Sequence, residues 1–407
     1  MEYYIIIASS IIIILSYLFN RISEKSNIPS VLLLIFLGVV GREMIGLVGV
    51  EKETILDIFT RIRILEVLGT LGLILIVLEA ALELKIARDK FKLITKSFVI
   101  ALVGLMVCMF GIAAILTFSF KDMGWSTALV YATPLSIISS AIVIPSVANL
   151  SEENEEFHIY ESTFSDILGI MVFYFLVELA EPTNNNVIVL GDFTFSLVVT
   201  IIMSVILSYV LIYVFQNMEA KVKLFLMIGV LFLLFSIGKL MHLSSLLIIL
   251  VFGLILNNYK IFFVGKLRKY LRPMAIENIR ETFLMITIES AFVVRTFFFV
   301  IFGFSIALST LYDIKVAIIS AAIIAIIYIS RLISFLPYKH ENLKRAIAIG
   351  PRGLITLLLF YSIPEEFEYE GFKTGILLFV IIVTSLVMTS GLMKKDKKKE
   401  EEISEVE

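Results

Sequence analysis

The sequence predicts an all-α polytopic membrane protein of about thirteen transmembrane helices. Three observations carry this. Of the 407 residues, 59% are hydrophobic, where soluble domains hold about 45–50%, and the mean hydropathy is +1.00. Charged residues make up 17%, against about 25% in soluble domains. Apolar runs of about 20 residues, the length of a spanning helix, recur from end to end.

The runs fall at 3–20, 28–48, 64–83, 97–119, 125–148, 158–180, 193–215, 222–240, 243–257, 282–308, 314–336, 346–363 and 372–393. The first follows Met1-Glu2 directly and lacks a basic leader, so it reads as a retained helix and not a cleaved signal. The ninth is short. Most connections are short as well. The longest, 258–281, is basic and amphipathic, and is expected to lie along the membrane surface. The KKDKKKEEE run after Met393 is a solvated charge block. The reading is thus a transmembrane domain over 1–393 and a charged tail over 394–407.

Net charge is −2, so no nucleic-acid footprint is visible. The one cysteine, Cys108, allows no intrachain disulfide or cysteine metal site. No cofactor is expected. With the N-terminus outside, 23 of the 34 Lys and Arg fall in inside loops and the tail, and 8 outside. This charge asymmetry favours N-out and C-cytoplasmic.

The fifth and twelfth segments each carry proline well inside an apolar run. The fifth reads STALVYATPLSIISSAIVIPSVANL, with Pro134 and Pro145, and with Thr133, Ser136, Ser139 and Ser140 beside them. The twelfth reads AIAIGPRGLITLLLFY, with Gly350-Pro351-Arg352-Gly353. Proline removes a backbone donor and clashes with the preceding turn, while glycine loosens the helix. Open backbone at membrane depth persists only inside protein or around a wet cavity. The two segments lie seven apart, an odd offset, so halves at about 1–180 and 222–393 would be inverted repeats. Paired interrupted helices in such halves point to a secondary transporter's midplane site.

The sixth segment carries the chemistry: Glu161-Ser162-Thr163-Phe164-Ser165-Asp166 in FHIYESTFSDILGIMVFYFLVEL. A carboxylate at membrane depth costs about 2.5–3.5 kcal/mol on insertion scales, and persists where it meets a cavity or a partner. Ser162 and Asp166 are four apart and share a helix face. Glu161 is five before Asp166, about 140° around, and points elsewhere. Asp166 is therefore the candidate ion carrier and Glu161 the candidate partner of a buried arginine. Sodium takes oxygen ligands, which Asp166, Ser162, a second carboxylate and carbonyls of the broken fifth segment can supply. An empty carboxylate can take a proton instead, and exclusive occupancy by one or the other is sufficient for exchange. The remaining ionisable residues read as buried are Glu79, Glu289, Arg295, Arg331 and Arg352. His158, His242 and His340 read as interfacial.

At these residues the chain resembles the monovalent cation:proton antiporters, specifically the sodium/proton exchanger branch. That branch has a Glu-Ser-x-x-Asn-Asp motif, which stands here as Glu161 to Asp166. LGLILIVLEAALELKI, with Glu79, is similar to the family's third helix, and RTFFFVIFG (295–303) to its tenth. Arg331 in IYISRL matches the eleventh-helix arginine, and GPRGLITLLLF the twelfth helix. The resemblance implies an inverted-repeat fold with two broken crossing helices, a mobile transport domain beside a scaffold, and a homodimer in the plasma (inner) membrane. It implies sodium/proton antiport, not an enzyme activity. Asp166 would carry the ion, with Glu79, Ser162 and a fifth-segment oxygen (Thr133, Ser136, Ser139 or Ser140) as co-ligands. Glu161 would pair with Arg331, and Arg352 would compensate charge at the crossing.

Two departures stand out. The branch's Thr-Asp-Pro is Thr133-Pro134 here, with no acid in the segment. Ser165 replaces asparagine, and an uncharged residue there implies electroneutral exchange. The serine-rich fifth segment is similar to that of potassium exporters, so potassium/proton exchange is the alternative. A channel or an intramembrane enzyme is more remote.

Overall fold

The computed structural model describes residues 2–26, 29–47, 63–86, 89–180, 186–217, 223–240, 245–263, 272–305, 313–338 and 342–393. Its regular elements there are all helical. They are α1 (Glu2–Ser26), α2 (Ser30–Leu47), α3 (Ile64–Glu83), α4 (Phe91–Ser119), α5 (Trp125–Ser136), α6 (Ser140–Val147), α7 (Glu152–Ala180) and α8 (Asn186–Gln216). There follow α9 (Lys223–Leu240), α10 (Ser245–Asn257), α11 (Tyr259–Phe262), α12 (Pro273–Ser305), α13 (Ile314–Phe335), α14 (Leu343–Ala348), α15 (Leu354–Phe360) and α16 (Gly375–Leu392).

Within the described residues, every apolar segment read from the sequence is helical. The fifth and twelfth fall on pairs of half-helices, α5/α6 and α14/α15. Among the described residues nine helices are long and apolar enough to cross a membrane, and Leu226–Leu240 and Ser245–Asn257 are shorter apolar helices.

Two helical pieces are described within the 258–281 segment. Tyr259–Phe262 is a single turn, and residues from Pro273 onward open α12. Proline at the first helical position suits a start there, because the nitrogen of that residue has no intrahelical partner in any case. Residues 264–271 and the tail 394–407 lie outside the described residues.

The chain packs as two compact units. One comprises Met1–Gly69, Lys92–Val177 and Arg295–Glu407, the other Thr70–Phe91 and Glu178–Val294. In the first, α13 packs on α14 and α16, α14 on α16, and α15 on α5. An apolar cluster of Ile100, Phe157, Phe335 and Ala346 ties α4, α7, α13 and α14 together. The broken segments and the hexad belong to this unit.

In the second unit α10 is the central helix, packed on α8 and α9 and buried on most of its surface. Two asparagines at its end hold the chain that leaves α3. Asn257 and Asn258 both donate to the Leu84 carbonyl, at 3.0 and 2.9 Å, and Asn258 accepts the Ile86 N–H at 2.7 Å.

Candidate functional site

The break in the fifth segment begins at Ile137, whose backbone turns extended (φ −79°, ψ 132°), as does that of Ser139 (φ −79°, ψ 110°). Pro134 in the last turn of α5 has no N–H and crowds the turn before it, so the helix is weak there. The three amides across the break are each paired, as buried backbone requires. Ile138 N–H donates to Ser165 Oγ at 2.9 Å. Ser139 N–H donates to the Pro351 carbonyl at 3.0 Å. Ser140 N–H donates to Asp166 Oδ2 at 3.2 Å. Two of the three acceptors come from the α7 hexad and one from the other break.

Arg352 serves the opposite polarity. Its guanidinium is buried and donates to the Leu135 carbonyl at 2.7 Å and the Ser136 carbonyl at 3.2 Å, the last ones of α5. It also donates to its own chain at Gly350 O (2.8 Å), and its backbone N–H donates to Thr384 Oγ1 at 3.1 Å. A cation against a helix C-terminus meets the negative end of the helix dipole.

The twelfth segment opens between Ala348 and Leu354, and Arg331 holds its first half in the same manner. Nε donates to the Ile347 carbonyl at 3.0 Å and Nη2 to the Ala346 carbonyl at 2.6 Å. The two glycines of the break are demanded by close approach. A Cβ on Gly350 would lie 2.7 Å from Arg331 Cδ. One on Gly353 would lie 2.7 Å from Ser139 Oγ and 2.6 Å from Ile142 Cδ1.

Glu161 and Asp166 are both buried and have different partners. Glu161 accepts from Arg331 at 3.1 Å (Nη1 to Oε1) and 3.4 Å (Nη2 to Oε2), and faces His158 Nδ1 at 3.0 Å. Asp166 faces the first turn of α6, and its Oδ1 is buried without a partner among the described residues, as is Ser139 Oγ.

The other hydroxyls are tied to their own helices. Ser162 donates to His158 O, Thr133 to Leu129 O and Ser136 to Ala132 O, each at 2.8 Å. Their hydrogens are engaged, but lone pairs remain for a cation. A cavity of ≈ 10 Å³ lies among Glu161, Arg331, Arg352, Ser136, Ser330 and Ser334, about the space of one water. Glu79 stands partly buried on α3, in the second unit.

Two sequence expectations change. Glu289 is exposed on α12 and not buried. It shares that exposure with Met285 and Ile288, because a face turned to lipid is as apolar as a core. His158 is buried against Glu161 and not interfacial, because α7 begins earlier than the apolar run, at Glu152. Ser140, one of four fifth-segment candidates, is the one whose backbone meets Asp166; spacing alone could not single it out.

A family model, sodium/hydrogen exchanger, transmembrane, matches residues 7–395. Among solved structures, the sodium proton antiporter MjNhaP1 from Methanocaldococcus jannaschii at pH 8 has a TM-score of 0.68 at 19% identity, over 97% of this chain and 99% of that one. An electron-microscopy map of the same antiporter gives 0.64 at 19% identity, over 97% and 95%. No curated protein sequence matches significantly.

Proposed function

The chain belongs to the sodium/hydrogen exchanger family, and from that premise we propose that it exchanges sodium for protons at Asp166 by alternating access. One observation carries the assignment. Asp166 is a buried carboxylate with one oxygen held by the α6 amide and the other unpartnered among the described residues. The held oxygen fixes the group on the positive end of a half-helix. The other offers lone pairs to a proton or a cation.

Ser162, Thr133 and Ser136 are the proposed neutral co-ligands. Glu161, Arg331, Arg352 and Ser165 hold the frame. They keep the two breaks crossed through paired donors and acceptors. A proton-loaded and a sodium-loaded Asp166 carry the same charge, so one-for-one exchange at this carboxylate is electroneutral.

The inside excess of Lys and Arg supports an N-terminus outside and a C-terminus in the cytoplasm. Family analogy supports a homodimer in the plasma (inner) membrane. Potassium is the second reading, favoured by a fifth-segment break whose side-chain oxygens are the neutral hydroxyls of Ser139 and Ser140.

Proton flux in proteoliposomes, driven by sodium, lithium or potassium, tests the proposal. We expect a saturable response to sodium that is unchanged when the membrane potential is collapsed. A response to potassium alone would replace the ion, and dependence on the potential would overturn electroneutrality. Flux that does not saturate would indicate a channel.

A further inference from the structure

Glu161 is held from two directions. Arg331 reaches both of its oxygens, at 3.1 and 3.4 Å, and His158 Nδ1 stands 3.0 Å from Oε2. All three side chains are buried. A carboxylate paired with a guanidinium is ionised and only accepts, so the imidazole nitrogen facing it carries the hydrogen. On Oε2, His158 is the shorter of the two contacts. The ring is braced edge-on against Phe157, with centroids 5.0 Å apart, beside the apolar cluster of Ile100, Phe335 and Ala346.

The same guanidinium extends the connection. Arg331 donates onward to the Ile347 and Ala346 carbonyls in the last turn of α14. The chain then opens, and its Pro351 carbonyl accepts the Ser139 N–H. The next amide, of Ser140, holds Asp166. An unbroken run of hydrogen bonds and backbone thus leads from His158 to the ion-carrying carboxylate, inside one compact unit.

We infer that His158 is a positioning residue for exchange. By donating to Glu161 it fixes Arg331 against the end of α14, and so sets the crossing on which Asp166 is held. The inference rests on exchange at Asp166 and names a residue that this exchange needs without its touching the ion. The charged groups facing the imidazole are Glu161 on its own helix, Arg331 from α13 and Lys96 from α4, whose ammonium stands 5.2 Å over the Phe157 ring. An imidazolium in this place would compete with Arg331 for Glu161, so the pH profile of exchange reports on the contact.

The test compares wild type, His158→Leu and His158→Asn in sodium-driven proton flux. Leucine fills the volume without a donor, whereas asparagine places an N–H near the position of Nδ1. His158→Leu is expected to raise the half-saturating sodium concentration about tenfold, near the lower end for the loss of one hydrogen bond to a charged group. Its maximal rate should stay near that of wild type and its pH profile should shift. His158→Asn is expected to stay within about twofold of wild type in affinity. Wild-type affinity and pH profile in His158→Leu would overturn the inference, and so would equal damage from both variants. Where His158→Leu does not reach the membrane, His158→Ala carries the same comparison. Absence of sodium-driven flux in the wild type would instead remove the exchange reading, so the two failures are distinct.

Discussion

Asp166 accepts the backbone N–H of Ser140 at 3.2 Å. This places a buried carboxylate on the first turn of α6, at the positive end of that half-helix, with its second oxygen lacking a hydrogen-bond partner among the described residues. An amide side chain at this position keeps an oxygen for the Ser140 N–H but has no charge to exchange. Asp166→Asn should therefore fold and lose cation-driven proton flux entirely. Undiminished flux from purified Asp166→Asn would move the ion to another residue.

Glu161 has the opposite character, with its partners already in place. Glu161→Gln leaves Arg331 buried and uncompensated, a loss of about 3–5 kcal/mol in soluble analogues. Its thermal unfolding in detergent should fall well below that of Asp166→Asn. The pair Glu161→Gln with Arg331→Met should recover part of the loss, because no lone charge remains. If Asp166→Asn proves the less stable single variant, the roles of the two acids are reversed.

Much of this division was legible in the sequence, and the limit has a physical cause. The five-residue offset between Glu161 and Asp166 turns them to different sides of one helix, and helix geometry needs no tertiary knowledge. Paired prolines and glycines marked both breaks. The partners of the break were not legible. Ile138 and Ser140 find theirs 27 and 26 residues away, and Arg352 finds the Leu135 carbonyl 217 residues away. Local patterns do not encode such contacts. Hydropathy also measures apolar surroundings without direction, so Glu289 read as buried although its face is exposed. His158 read as terminal because the polar residues 152–156 hide the true start of α7.

The crossing itself should be intolerant of side chains. A methyl on Gly353 would come within 2.7 Å of Ser139 Oγ and 2.6 Å of Ile142, and the neighbouring backbone is tied by the Ser139–Pro351 hydrogen bond. Gly353→Ala should lower stability by about 1–3 kcal/mol, the range for overpacking, and reduce sodium affinity together with maximal rate. Normal exchange at normal stability would show that the crossing can yield.

Away from the membrane core, Asp313 caps α13. Its side chain accepts the Lys315 N–H at 2.9 Å and pairs with Lys373. The Lys373 contact, followed by the Lys315 amide, holds the carboxyl below the usual carboxylate range. A lowered acid contributes stability above its unfolded value and loses it as pH falls through the folded one. Asp313→Asn should therefore match wild type below that lowered range and be less stable at neutral pH. Thermal midpoints measured from neutral to acid pH should converge, and a constant gap would assign the difference to something other than this charge.

Ser165 is the most informative departure from the family motif, because its hydroxyl accepts the Ile138 N–H in the middle of the break. Ser165→Ala leaves that buried amide without its acceptor, at a loss of about 1–3 kcal/mol. The loss falls on the open backbone that carries Ser140, so Asp166 should be held less firmly and the half-saturating sodium concentration should rise. Asparagine, the family's usual residue here, brings its own carbonyl oxygen, and Ser165→Asn should retain both stability and affinity. Both variants leave the charge at this position unchanged, so exchange by each should remain insensitive to the membrane potential. Flux measured with the potential clamped at two values separates these outcomes. A change in potential dependence with Ser165→Ala would mean that Ser165 acts on the transported charge and not on the shape of the break.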